Sequence, residues 1–244
     1  MQKIRVMSGN TLKLLACAFM LIDHIGMIFF PWVSIYRIIG RLAFPIFAFM
    51  ISEGARYTKN RLRYFLTLLV LAAIIEAVYY ALFRELVLSI FVTFSCSIPI
   101  IYALDLFKRE LIRLEHTLPR VIGFGLLLLA LIAAVYLLSR EFYFDYGFKG
   151  AMVPVAASLF SMPKDAPERL QRLDCIPLRV LCCGVMLLAL AVTSARIQYF
   201  SLLALIPLLL YSGKRGGLRI KYFFYLFYPL HIAVLQALYW IINA

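Results

Sequence analysis

An aspartate and a histidine stand side by side inside an apolar run near the start of the sequence. Asp23 and His24 lie within residues 11–30, TLKLLACAFMLIDHIGMIFF, which are long enough to cross a bilayer as a helix. A carboxylate in hydrocarbon is costly, so we expect the pair either to serve chemistry or to lock helix packing through an arginine. An imidazole at this depth suits general base catalysis or a proton relay.

Helical geometry separates the roles of these two neighbours. Their side chains point about 100° apart around the helix, so they cannot pair directly, and Asp23 needs a partner on another helix. Lys13 precedes His24 by eleven residues, roughly 16 Å along nearly the same face. We expect Lys13 at the membrane interface, where it contacts a ligand or simply snorkels to water.

The next apolar segment supplies candidate partners for Asp23. Arg37 and Arg41 are four residues apart, share a face and lie at the depth of Asp23 in an antiparallel neighbour. We predict Arg41–Asp23 as the buried pair, because a guanidinium fork matches a carboxylate. Glu53 lies at the other end of this segment near Arg56, where an interfacial ion pair is the plainer interpretation.

Three further polar residues are candidates for the wall of a cavity. Glu76, in LAAIIEAVYY, could orient His24 or act as a base, and a packing role is about as well supported. Asp145 and Tyr146, in the loop FDYGFKG, could hold an acceptor on the far side, or could simply form a turn.

The last apolar segment carries a second histidine. Tyr228 and His231 are three residues apart and share a helix face. His231 and His24 lie at similar depth, which favours one shared cavity. The preceding stretch YSGKRGG is basic and rich in glycine, so its backbone N–H groups could approach a phosphate. Its candidate residues are Tyr211, Lys214 and Arg215.

The composition is that of a membrane protein. Hydrophobic residues make up 64% of the 244 residues and the mean hydropathy is +0.92. We therefore predict an all-α polytopic bundle forming one integral membrane domain over residues 1–244, with no cleaved signal peptide. About nine transmembrane helices are expected, at 11–31, 37–55, 62–83, 86–107, 119–138, 146–162, 176–194, 197–212 and 221–242.

The net charge of +13 is mainly a topology signal. On the nine-span model nineteen basic residues fall on one side and six on the other, so the N-terminus is expected in the cytoplasm and the C-terminus outside. Nucleic acid is therefore not an expected partner, whereas membrane lipids are. The five cysteines have no metal-ligand spacing, so no metal is expected.

Several of these segments resemble the TraX family, the conjugation proteins linked to acetylation of the pilin N-terminus. The matching segments run from Leu12 to His231: LKLLACAFMLIDHIG, RIIGRLAFPIFAF, EGARYTKNR, DYGFKG, YSGKRG and FFYLFYPLH. Ser212 departs from the pattern, since the family often has Asn there. The spacing of Lys13 and His24 is also similar to the first helix of the broader transmembrane acyltransferases.

The resemblance implies transfer of an acetyl group from cytoplasmic acetyl-CoA to a pilin amine or another envelope acceptor, in the inner membrane. His24 would be the base, with Asp23, Arg41 and His231 as its catalytic partners. The candidate substrate and cofactor contacts are Lys13, Arg37, Glu53, Arg56, Tyr57, Lys59, Arg61, Glu76, Asp145, Tyr146, Tyr211, Lys214, Arg215 and Tyr228.

Two other classes of function stay open from the sequence. A proton-coupled transporter or flippase could use Asp23, His24, Glu76 and His231 as a relay, although no inverted repeat is visible. A non-catalytic assembly factor for a pilus or envelope machine would tolerate substitution of His24. Stabilisation by an acyl-CoA would distinguish the enzyme from both.

Overall fold

The computed structural model describes residues 6–84, 88–113, 118–217 and 220–243. Within these ranges the chain is all-helical, with no strand. Its elements are α1 Gly9–Phe29, α2 Ser34–Gly40, α3 Ala43–Tyr57, α4 Arg61–Phe83, α5 Ile90–Ile112, α6 Leu118–Glu141, α7 Gly147–Ser158, α8 Glu168–Gln171, α9 Ile176–Val192, a 3-10 helix Arg196–Ala204, α10 Leu205–Leu209 and α11 Lys221–Asn243. Of the charges counted for topology, Lys3, Arg5, Arg219 and the side chain of Lys221 lie outside the described residues.

Six helical segments of the described chain are long and apolar enough to cross a membrane, which makes this a multi-pass membrane protein. They are Gly9–Phe29, Ser34–Tyr57, Arg61–Ala81, Ile90–Ile112, Leu118–Glu141 and Phe223–Asn243. The predicted sixth, seventh and eighth spans fold as shorter helices, of which α7 has 12 residues and α9 has 17. The predicted count of nine is therefore not confirmed.

The predicted second span is divided into two helices. α2 ends at Gly40 and α3 begins at Ala43, with Arg41 and Leu42 in a turn between them. The break places Arg41 at the junction, where its side chain reaches the residues that follow α6 as well as α1. A straight helix would have kept Arg41 on the face set by Arg37.

The main core lies among α1, α3, α7, α9 and the segment 196–211. Leu12, Phe49, Val153 and Leu187 are fully buried there. α6 differs, because Val135 is the one residue of this 24-residue helix that is buried. Its remaining apolar surface faces outward, as expected for a helix whose outer side contacts lipid.

The loop 211–216 is fixed to the start of α1. The N–H groups of Gly9 and Asn10 donate to the carbonyls of Lys214 (2.8 Å) and Arg215 (2.9 Å). Gly213 and Gly216 both have positive φ, and a Cβ on Gly216 would lie 2.6 Å from Ser8 Oγ. The loop therefore caps α1, at what we call the near end of the bundle; the far end is where α1 finishes.

Candidate functional site

The structure brings the two membrane histidines, His24 on α1 and His231 on α11, into contact. His231 Nε2 lies 3.2 Å from His24 Nδ1. His24 Nδ1 also donates to the Met20 carbonyl at 2.8 Å, and His231 Nδ1 donates to the Phe227 carbonyl at 2.7 Å. Because a carbonyl can only accept, both Nδ1 atoms carry the proton, and His24 Nδ1–H is shared between the Met20 carbonyl and His231 Nε2.

This arrangement leaves Nε2 of His24 unprotonated when the ring is neutral, so its lone pair can accept a proton. Among the described residues no hydrogen-bond partner is found for it, and His24 lines a cavity. His24 is 9% exposed and His231 7%, so both rings are largely enclosed by the protein. The ring of His24 can therefore accept a proton from a group inside the cavity.

Aromatic neighbours fix the orientation of both imidazoles. Phe227 stacks on His231, with centroids 4.8 Å apart and planes 10° apart. Tyr228 meets His24 and His231 edge-on, at 6.3 and 5.6 Å. Side chains held in this way lose little further freedom when a ligand binds.

Asp23 binds two arginines rather than one. Arg37 Nη1 lies 2.9 Å from Asp23 Oδ2, and Arg41 Nη2 lies 3.5 Å from the same oxygen. The predicted Arg41–Asp23 pair is thus present, but the shorter contact is to Arg37. The cause is the break before α3, which lets Arg41 also donate to the Tyr146 hydroxyl at 3.3 Å.

Tyr146 joins this group from the loop before α7. Its ring stacks on Phe44 with centroids 4.0 Å apart. The hydroxyl accepts from Arg41 and keeps its own proton to donate. Tyr146 can therefore offer a polarised donor to a group in the same cavity.

Gly40 sets the distance between Asp23 and the arginine-bearing turn. A Cβ at Gly40 would lie 2.1 Å from Asp23 Oδ1, so Gly40→Ala is expected to lower the free energy of unfolding by about 1–3 kcal/mol. Thermal unfolding in detergent would measure the change. Gly123→Ala on α6 is the matched control, because a Cβ there meets nothing within 4 Å. Equal stability of the two variants would contradict the close packing.

Three adjoining cavities, which share wall residues, lie one after another through the bundle, and we call this series the passage. The far cavity, about 490 Å³, contains Asp23, His24, Arg37, Arg41, Asp145 and Tyr146 in its wall. A middle cavity of about 120 Å³ shares Met20, Phe47, Ile90 and Tyr228 with it. The near cavity, about 610 Å³, shares Lys13, Met50, Gly54, Tyr64, Phe224 and Tyr225 with the middle one. The cavity beside His24 is thus separated from the near cavity by one small cavity that shares wall residues with both.

A buried ion pair supports the wall of the near cavity. Arg179 on α9 is 2% exposed, and its Nη1 lies 2.6 Å from Glu53 Oε1. Tyr211 donates to the other carboxylate oxygen at 2.8 Å. The sequence analysis did not identify Arg179 as a site residue, although an arginine at the fourth position of a predicted span is itself a signal of a buried partner.

A family model described as TraX protein matches residues 8–239, nearly the whole chain. The chain belongs to the TraX family. This match confirms the resemblance found in the sequence. Among curated proteins, a segment of 54 residues is 44% identical to the uncharacterized protein RP591 of Rickettsia prowazekii, and the match spans 22% of this chain and 21% of that protein. No solved structure matches significantly.

Three residues of this TraX-family chain that were predicted to contact substrate or cofactor bind other residues of the protein instead. Arg56 forms two hydrogen bonds with Asp174, and Arg61 forms an ion pair with Asp105. Glu76 accepts from the Ser89 N–H at 2.7 Å, where it caps the start of α5 instead of lining the far cavity. Carboxylates distant in sequence neutralise these arginines, which local pattern could not reveal.

The other predicted residues of this TraX-family chain divide between the two ends. The near-cavity wall contains Lys13, Glu53, Tyr57, Tyr211 and Arg215. Lys59 follows Tyr57 by two residues, and Lys214 precedes Arg215 in the loop. The carbonyls of Lys214 and Arg215 accept from the N–H groups at the start of α1, and the phosphate contact expected of this loop stays a prediction.

Proposed function

We propose that this TraX-family protein is a membrane-embedded acetyltransferase that takes its acyl group from acetyl-CoA. The observation that supports this most is the series of adjoining cavities from a basic mouth at the near end to the one that His24 lines. Membership in the family fits a conjugation role related to pilin. The acceptor is a primary amine or hydroxyl, with the pilin N-terminus as the first candidate.

The orientation follows from the charge distribution. We place the near end in the cytoplasm, because most Lys and Arg fall in the connections at that end. All nine predicted spans then cross the inner membrane, with the shorter α7, α9 and the 3-10 segment inside the bundle. The far cavity, with His24, opens toward the outside, where an envelope acceptor is available.

The walls of the passage change from cationic at the near end to apolar in the middle, which matches the phosphates and the pantetheine arm of an acyl-CoA. Lys13 and Arg215 in the near-cavity wall offer cations for phosphates. The middle cavity is narrow and mostly apolar, with Phe47, Met50 and Phe91 in its wall, and suits the pantetheine arm. Lys13 and His24 are roughly 16 Å apart along α1, so an extended arm places its thioester beside the imidazole.

The proposed step uses His24 as a general base. Its Nε2 takes the proton of the acceptor while the acceptor attacks the thioester carbonyl, and the resulting oxyanion accepts from the Tyr146 hydroxyl or Arg41. The C–S bond then breaks, and the proton on His24 passes to the leaving thiolate. His231 Nε2 and the Met20 carbonyl stabilise the transient imidazolium through Nδ1–H.

A binding measurement tests the donor. Acetyl-CoA at one hundred times its Kd is expected to stabilise the purified protein by about 2.7 kcal/mol, which appears as a higher Tm in detergent. S-acetylcysteamine, a thioester without the nucleotide, is the control ligand and should give a much smaller shift. No shift at millimolar acetyl-CoA would contradict the proposal. Release of free CoA thiol in the presence of an acceptor peptide then tests transfer directly.

The same passage also supports a second candidate, a proton-coupled transporter or flippase. The cavities adjoin one another between the two ends of the bundle, and the far one has His24, paired with His231, and a largely buried aspartate in its wall. A transporter would move substrate in response to a pH gradient in proteoliposomes and would leave acetyl-CoA intact. Thiol release from acetyl-CoA distinguishes the two candidates.

A further inference from the structure

An exposed tyrosine stands at the mouth of the passage. Tyr57 is the last residue of α3, is 59% exposed, and forms part of the near-cavity wall. The mechanism proposed above gives it no role. A large aromatic ring left open to the mouth of a basic cavity is the kind of surface on which a flat heteroaromatic ring stacks.

A fixed guanidinium lies against this ring. Arg56 Cζ is 5.2 Å from the centroid of Tyr57. Asp174, from the residues before α9, binds Arg56 through two hydrogen bonds of 2.8 and 2.5 Å, and also accepts from the Met162 N–H at 3.0 Å. Arg56 does not line the near cavity, so Asp174 holds it beside the ring and outside the ligand space.

The charges around Tyr57 suit a nucleotide. Lys13 and Arg215 share the same cavity wall, and Lys59 follows two residues later. Glu53 is the acidic residue in this wall, and Arg179 neutralises it at 2.6 Å. Phosphates at the mouth therefore meet cations with little repulsion from the protein.

We infer that Tyr57 is the platform for the adenine ring of the acyl donor, with Arg56 and Asp174 as the residues that position it. The inference rests on the proposed function, since it assigns the nucleotide end of the same donor. It makes Tyr57 a determinant of specificity for CoA over shorter pantetheine thioesters. An interfacial anchor for the helix would make no such distinction between ligands.

Isothermal titration of the full-length protein in detergent tests this assignment with three probes: CoA, adenosine 3′,5′-bisphosphate and pantetheine. Tyr57→Leu removes the ring and is expected to weaken binding of CoA and of the bisphosphate by about ten-fold. Tyr57→Phe keeps the ring and should stay within about two-fold of wild type for both. The affinity for pantetheine should be the same in wild type, Tyr57→Leu and Tyr57→Phe.

Tyr199→Leu is the matched control, because Tyr199 is an exposed tyrosine that lines none of the three cavities. If wild type and Tyr57→Leu bind CoA equally, the adenine assignment is wrong while the proposed function stands. An equal loss of all three probes would identify a structural role and also overturn it. If wild type binds no CoA, the proposed function fails, and the assignment fails with it.

Discussion

His24→Asn is expected to lower acetyl transfer by about 100-fold or more, the lower range of what general base catalysis contributes. The asparagine amide can still donate to the Met20 carbonyl, but it has no basic nitrogen in place of Nε2. His24→Ala should cause a loss at least as large. Initial rates of CoA thiol release, with saturating donor and a fixed acceptor peptide, would measure both variants.

The fold and the donor affinity of these variants provide the control. His24 lies at the far cavity, whereas the proposed nucleotide contacts line the near one, so CoA affinity should stay close to wild type. A variant that keeps its Tm and its CoA affinity but loses turnover assigns the loss to chemistry. Turnover near the wild-type rate in His24→Asn would remove His24 from the mechanism.

Arg179→Met is expected to destabilise the protein by about 3–5 kcal/mol, because it leaves the Glu53 carboxylate buried without its cation. Arg179 is 2% exposed, and it also donates to the Ala157 carbonyl at 3.0 Å, so α3, α7 and α9 all lose a contact. Methionine has a similar length and adds no charge. Reversible unfolding in mixed micelles, or the Tm at fixed detergent, would report the change.

Two further variants separate charge burial from packing in the Arg179 experiment. Arg172→Met removes a surface pair with Glu168 that is mostly exposed, and should change stability by less than about 1 kcal/mol. Combining Arg179→Met with Glu53→Gln removes the unpaired charge and should recover part of the loss. A double variant no more stable than Arg179→Met would show that packing, rather than the buried charge, dominates.

The sequence was sufficient to predict at which depth in the bundle the two histidines lie and that Asp23 pairs with an arginine. Helical periodicity placed His24 and His231 at similar depth, and the structure puts them 3.2 Å apart. The same reasoning found arginines for Asp23, although it preferred Arg41 where the shorter contact is to Arg37. Periodicity could not show the turn at Arg41–Leu42, because both sides of it are apolar and helical.

Long-range packing decided the remaining contacts. Arg56 and Asp174 are 118 residues apart, and Tyr211 and Glu53 are 158 apart, so no local pattern connects them. The sequence offers Glu76 as a cavity residue, yet its carboxylate accepts from the N–H of Ser89, just before α5. Each of these carboxylates binds a donor that only the arrangement of the helices brings near.

By itself the sequence determined that this is a helical membrane protein of the TraX family with histidines in its first and last helices, since composition and period act within one segment. The tertiary structure decided that these histidines meet, that Arg179 neutralises Glu53, and that adjoining cavities extend from a basic mouth to the one beside His24. A cavity is space left between helices, so it depends on how all of them pack, and the sequence of one helix cannot predict it.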